Sequence, residues 1–138
     1  MQRREFIRTG CLLCAGLLVS QPLLQSCSTV PVLKLQAKNA QIIIDKATLK
    51  PNQKLHIVRN TKMDFDLLLV ENEDGTYHAL YMQCTHYSQP LAANSKQLFC
   101  SAHGSTFDFN GTVLKSPAEK NLTKYVVESN SNQLIIKL

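Results

Sequence analysis

Cys84-Thr85-His86-Tyr87 and Cys100-Ser101-Ala102-His103-Gly104-Ser105-Thr106-Phe107-Asp108 are the two stretches from which the rest of this chain can be read. They hold two of its five cysteines and two of its four histidines. Thiolate and imidazole are soft-to-borderline ligands, and C-x-H followed by C-x-x-H offers one of each from either of two short loops, so the pattern reads as a metal site. The spacing narrows the metal. A cysteine and a histidine two apart do not easily share one tetrahedral ion with a similar neighbouring loop, but they can serve two adjacent irons. The competing reading is a structural zinc site of two cysteines and two histidines, holding shape only, in a binding or structural module without redox activity. Zinc loops commonly group like ligands, whereas each loop here mixes them.

The residues around the four ligands resemble the Rieske iron-sulfur family from about residue 80 to residue 122, and the rest of the chain more weakly. The loops carry that family's C-T-H and C-x-x-H-G-S-x-[FY]-D stretches. Asn110-Gly111 follows where the family has a turn glycine, and Ser116-Pro117-Ala118 where it has a proline-containing loop over the cluster. The resemblance implies a [2Fe-2S] cluster in which one iron takes Cys84 and Cys100 and the other takes His86 and His103. It implies that Ser105 gives its hydroxyl to a bridging sulfide. Beside such a cluster a glycine is useful, because the backbone must approach closely enough to donate N–H bonds.

The chain departs from the high-potential, quinol-oxidising members of that family. Two further cysteines staple their loops by a disulfide; the corresponding positions here are Gln89 and Ala102. Phe107 stands where they place a tyrosine hydroxyl near a ligand sulfur. Hydrogen bonds to sulfur stabilise the more negative, reduced cluster. With Ser105 kept and the tyrosine lost, the potential is expected inside the family range of about −150 to +300 mV and below its upper end.

The start of the chain reads as an export signal. Arg3-Arg4-Glu5-Phe6-Ile7-Arg8 is a basic n-region, an apolar or small run covers residues 11–19, and Leu24-Gln25-Ser26-Cys27 follows. The apolar run is far shorter than the roughly 20 residues of a spanning helix. The paired arginines resemble the twin-arginine signal, and residues 24–27 a bacterial lipoprotein box. The expected organisation is a signal over 1–26, lipid attachment at Cys27 with a linker to residue 39, and one domain over 40–138. Its cluster-binding subdomain spans about 83–118. A cluster assembled in the cytoplasm is best exported already folded, which the twin-arginine route permits. The implied location is a bacterial membrane, on its periplasmic or outer side. Cys11 and Cys14 then leave with the signal, Cys27 takes lipid, and no pair remains for a disulfide.

Beyond the signal, 112 residues make one domain with a modest core. Loss of Arg3, Arg4, Arg8 and Glu5 takes the formal charge from +5 to +3, which is no nucleic-acid footprint. Lys34, Lys38, Lys46, Lys50 and Lys54 lean toward the N-terminal third, where they would favour an anionic membrane surface or form a solvated face.

Short runs rich in Ile, Val, Leu and Tyr at residues 40–45, 54–60, 64–71, 76–82, 123–128 and 133–138 predict strands, and Asn, Asp, Gly and Pro turns separate them. No stretch keeps a helical period beyond about two turns. The expected fold is all-β: stacked antiparallel sheets of the Rieske type with the ligand loops projecting from one end.

Such a protein performs no bond chemistry of its own. The resemblance implies the electron-transfer component of an oxidoreductase, as a membrane-tethered carrier or a small subunit. The partner is expected to be a redox protein, for a small subunit the rest of a membrane-associated oxidoreductase such as a quinol-oxidising cytochrome bc complex or a molybdenum oxidase of the arsenite-oxidase type. The missing staple with Phe107 argues against a bc-complex subunit without naming the partner. His56 and His78 lie in strand-like runs and read as structural residues.

Overall fold

The computed structural model describes residues 29–138. The expected export signal over 1–26 and the lipidation residue Cys27 lie outside the described residues. Among the described residues, eleven strands make two sheets. The larger contains β1 (Val32–Lys34), β2 (Gln41–Asp45), β3 (Leu55–Arg59), β4 (Leu67–Glu71), β5 (Tyr77–Tyr81), β10 (Lys124–Ser129) and β11 (Gln133–Lys137) in the order β1-β3-β4-β5-β10-β11-β2. All its pairs are antiparallel except β1 with β3. The smaller sheet, β6 (Ala92–Ala93), β7 (Leu98–Phe99), β8 (Thr106–Phe107) and β9 (Val113–Lys115), is wholly antiparallel. One 3-10 turn, Lys46–Thr48, follows β2.

All six strand-like runs form strands, each within a few residues of its expected bounds. The expectation of an all-β, sheet-on-sheet domain thus matches the architecture. Val32–Lys34, inside the stretch read as linker, is a strand hydrogen-bonded to β3. The two- and three-residue strands of the small sheet carry no readable periodicity, because two residues cannot show an alternation.

Burial follows from the sequence of each strand. β2 alternates, with Ile42 and Ile44 fully buried and Ile43 half exposed, as a one-sided strand should. Leu67-Leu68-Leu69-Val70 of β4 is apolar without alternation, and all four side chains are buried. Leu67 and Leu69 pack with Ile42, Ile44, Val58, Ala79, Leu134 and Ile136 on one side of the sheet. Leu68 and Val70 pack on the other side with Leu80, Met82, Leu98, Phe107, Leu122, Cys84 and Cys100. The ligand-bearing subdomain therefore covers the second face of β4 and β5. A four-residue apolar run is what a strand buried on both faces requires.

Gly111 sets how closely the subdomain docks. Its φ is +86°, and a Cβ placed there would lie 2.9 Å from Leu80 Cδ2 and 3.4 Å from Leu122 Cβ. Leu122 N–H also donates to the Gly111 carbonyl at 2.8 Å. Across the same junction His78 on β5 donates from Nε2 to the Phe109 carbonyl at 2.7 Å.

Candidate metal centre

β5 runs directly into the first ligand loop, and the turn between β7 and β8 is the second. The two loops are built alike. Cys84 N–H donates to the Gln89 carbonyl at 2.7 Å, and Ser88 N–H donates back to the Cys84 carbonyl at 2.9 Å. Cys100 N–H donates to the Ser105 carbonyl at 2.9 Å, and Gly104 N–H donates back to the Cys100 carbonyl at 3.0 Å. The same offsets recur, and so does the left-handed residue that closes each loop: Ser88 at φ +42° and Gly104 at φ +80°. Glycine takes that conformation without steric cost, whereas the serine is strained. The motif spacing conceals this likeness, because the histidine is third in one loop and fourth in the other.

Cys84 and Cys100 are 1% and 2% exposed and belong to the apolar cluster beneath the small sheet. Both are free thiols. His86 and His103 are exposed, and their rings lie edge to face with centroids 4.9 Å apart. Two imidazoles bound through one nitrogen each to a common first-row ion at about 2.1 Å have centroids about 4.5 to 5.2 Å apart for bond angles of roughly 90° to 109°. The observed separation falls inside that window. The 70%-exposed Tyr87 ring stands 6.3 Å from each histidine ring.

Among the described residues, no three histidine, cysteine or acidic side chains are gathered as ligands of a single metal ion. A mononuclear zinc site needs four donors about one centre. Here the thiols sit inward and the imidazoles outward, a donor set suited to a two-metal cluster with chemically different ends.

Ser105 is fully buried, and its Oγ accepts the Ala118 N–H at 3.0 Å. A hydroxyl that accepts keeps its own proton to donate, so Ser105 retains a donor inside the site. The loop carrying Ala118 is tied to the first ligand loop as well, because Thr85 Oγ1 donates to the Lys120 carbonyl at 2.6 Å. Residues 116–122 thus bridge both ligand loops. Gln89 and Ala102 offer no disulfide between those loops. Thr85 and Lys120 escape sequence reasoning, since only the folded chain shows where a hydroxyl 35 positions away finds its acceptor. Phe107, fully buried, fills the floor between the loops and the main sheet.

His56 and His78 lie away from the ligand loops. His56 is buried, and its Nε2 accepts the Lys50 N–H at 3.0 Å. Burial pushes its imidazole below the ordinary value, opposed by the Glu71 carboxylate and aided by the Lys50 ammonium. Burial likewise lowers His78, against its hydrogen bond to Phe109.

The chain matches the family model of the Rieske [2Fe-2S] domain over residues 39–126, more than half its length. Among curated proteins it is 30% identical over 83 residues to the cytochrome b6-f complex iron-sulfur subunit of Prochlorococcus marinus (strain NATL1A), covering 58% of this chain and 47% of that protein. The corresponding subunit 1 of Nostoc sp. (strain PCC 7120 / SAG 25.82 / UTEX 2576) is 26% identical over 83 residues, 58% of this chain and 46% of that one. The chain spans about half the length of these relatives. Among solved structures, the cyanobacterial plasma membrane Rieske protein PetC3 from Synechocystis PCC 6803 superposes with a TM-score of 0.57 at 25% identity, over 69% of this chain and 99% of that one. Naphthalene 1,2-dioxygenase with indole bound superposes with a TM-score of 0.55 at 22% identity, over 70% of this chain and 25% of that one, a likeness of fold.

Proposed function

The chain belongs to the Rieske [2Fe-2S] family, and from that premise we propose that it carries single electrons, with Cys84 and Cys100 holding the buried end of its [2Fe-2S] cluster and His86 and His103 the exposed end. The observation that carries this reading is the difference in burial between the two ligand pairs. When bound, the cluster supplies a one-electron couple. Cys84 and Cys100 would hold the cluster from their buried, apolar surroundings, and the exposed His86 and His103 would hold it from the side open to a partner protein. Ser105, accepting the Ala118 N–H, would have its hydroxyl proton to donate to the cluster, and residues 116–122 brace both loops. The chain thus contributes position and electrostatics, and no bond is made or broken.

Membrane tethering is part of the proposal. It rests on the paired arginines and on Leu24-Gln25-Ser26-Cys27. From Cys27 to the start of β1 at Val32, the extended chain reaches at most about 18 Å. β1, β3 and β5 run in one direction, and β5 leads into Cys84. A lipidated Cys27 would therefore hold the sheet by the end remote from the histidines and leave them facing outward from the membrane. A short tether of this kind suits a carrier or small subunit that meets a partner protein on the outer side.

Protein purified from iron-replete cells should contain two irons and two acid-labile sulfides, and its reduced form should show the anisotropic, low-average g-value resonance of a mixed Cys/His cluster. A colourless preparation holding one zinc per chain would sink the electron-transfer reading. Cys27→Ser should release the domain from membranes or leave an unprocessed precursor; a processed variant that stays membrane-bound would remove lipidation from the proposal.

A further inference from the structure

The charged residues of this domain are unevenly distributed between its two ends. On one flank of the histidines, Lys115 stands opposite Thr106, three positions after His103, and is exposed. On the other, exposed Lys120 is held by its own carbonyl to Thr85, next to His86. Two acidic residues lie close in sequence. Asp108 is turned into its own hairpin, where Oδ1 accepts the N–H groups of Asn110 and Thr112, and Glu119 is the other. At the same end of the main sheet Asp66 is paired with Arg59 at 2.7 Å, and Asp64 shares that end with Lys34, Lys62 and Lys124. The remote end differs. There Lys46, Lys50 and Lys54 share the strand ends and turn with four acidic residues, Asp45, Glu71, Glu73 and Asp74. The segments that carry Lys115 and Lys120 adjoin an aromatic surface of His86, His103 and Tyr87, the last 70% exposed. An exposed tyrosine within a polar rim is the composition of a docking centre.

We infer that this tip docks an acidic redox protein, with Lys115 and Lys120 steering the encounter and Tyr87 at the centre of the contact. The inference deepens the electron-transfer reading and rests on it. Opposite potentials on two partners raise the association rate and make it fall steeply with ionic strength. Like potentials do the reverse. Screening over about 10 Å at 0.1 M salt leaves the near lysines in control and the remote end without influence.

The test uses the cluster-loaded protein and two electron-transfer proteins of opposite charge, a reduced plant-type ferredoxin, which is acidic, as donor and oxidised cytochrome c, which is basic, as acceptor. Reduction by ferredoxin should slow roughly tenfold between about 10 and 200 mM salt, and oxidation by cytochrome c should be slower and speed up with salt. Lys115→Glu combined with Lys120→Glu should flatten or invert both dependences, whereas Lys50→Glu combined with Lys54→Glu should leave them as they are. Rates indifferent to salt, or equal effects of the two lysine pairs, overturn the inference. A cluster that exchanges electrons with neither protein nor with ferricyanide overturns instead the electron-transfer reading beneath it.

Discussion

Thr85 and Lys120 are joined by a 2.6 Å hydrogen bond from the threonine hydroxyl to the lysine carbonyl, and this bond fastens the loop of residues 116–122 to the first ligand loop. Ser105 fastens the same loop to the second through the Ala118 N–H. Two hydrogen bonds to a shared third loop thus link the two ligand loops indirectly. Thr85→Val should cost about 0.5–1.5 kcal/mol, the net worth of one hydrogen bond, and Ser105→Ala about 1–3 kcal/mol, because it strands a buried N–H. Urea midpoints of the two variants measure both.

Ser105→Ala should also lower the midpoint potential, since it removes a donor from the site and so disfavours the more negative, reduced state. Protein-film voltammetry gives the shift. An unmoved potential with an intact cluster would mean that the Ser105 proton points elsewhere.

Phe107→Tyr asks whether a hydroxyl at the floor of the site reaches a ligand sulfur. The ring is fully buried. If the new hydroxyl donates to a thiolate, the potential rises and stability is kept. If it finds no partner, the potential stays put and the variant loses about 1–3 kcal/mol for burying an unpaired polar group.

The shared geometry of the two ligand loops makes Ser88 replaceable. Ser88 holds φ at +42° in the place that Gly104 fills in the second loop at φ +80°. Ser88→Gly should stabilise the protein by up to about 1 kcal/mol, the strain relieved exceeding the flexibility added to the unfolded chain. Gly104→Ala should destabilise it by about 1–2 kcal/mol, although nothing lies within 4 Å of the new Cβ. At Gly111 the strain and a 2.9 Å approach to Leu80 act together, so Gly111→Ala should cost more than Gly104→Ala. Thermal unfolding of the three variants ranks them.

His56 and His78 make stability depend on pH. Both have folded-state values below the unfolded 6.5. As pH falls through 6.5 the unfolded chain takes up protons first, so their contribution is complete above that pH and declines below it. It levels off once the folded imidazoles are also protonated. The unfolding midpoint should therefore be lower at pH 5.5 than at pH 8, and a double variant with His56→Gln and His78→Gln should show a smaller difference. An equal difference would place the acid sensitivity in other groups.

The metal-binding chemistry and the fold class were legible in the order of residues alone. Thiol and imidazole identity is local, and so are the apolar alternation of β2 and the unbroken run Leu67-Leu68-Leu69-Val70 that marks a strand buried on both faces. Turn residues at Asn110-Gly111 were legible for the same reason, because a left-handed backbone restricts the residue that adopts it. The remaining features needed the folded chain. Val32–Lys34 is a strand because β3 offers it hydrogen bonds, and the two-residue strands of the small sheet are held by their neighbours, too short to be specified by pattern. The burial of the thiols, the exposure of the imidazoles, and the ties of Thr85 to Lys120 and of Ser105 to Ala118 depend on segments distant along the chain. Such contacts exist only after the subdomain has packed on the sheet, and the packing distance is set by Gly111 against Leu80.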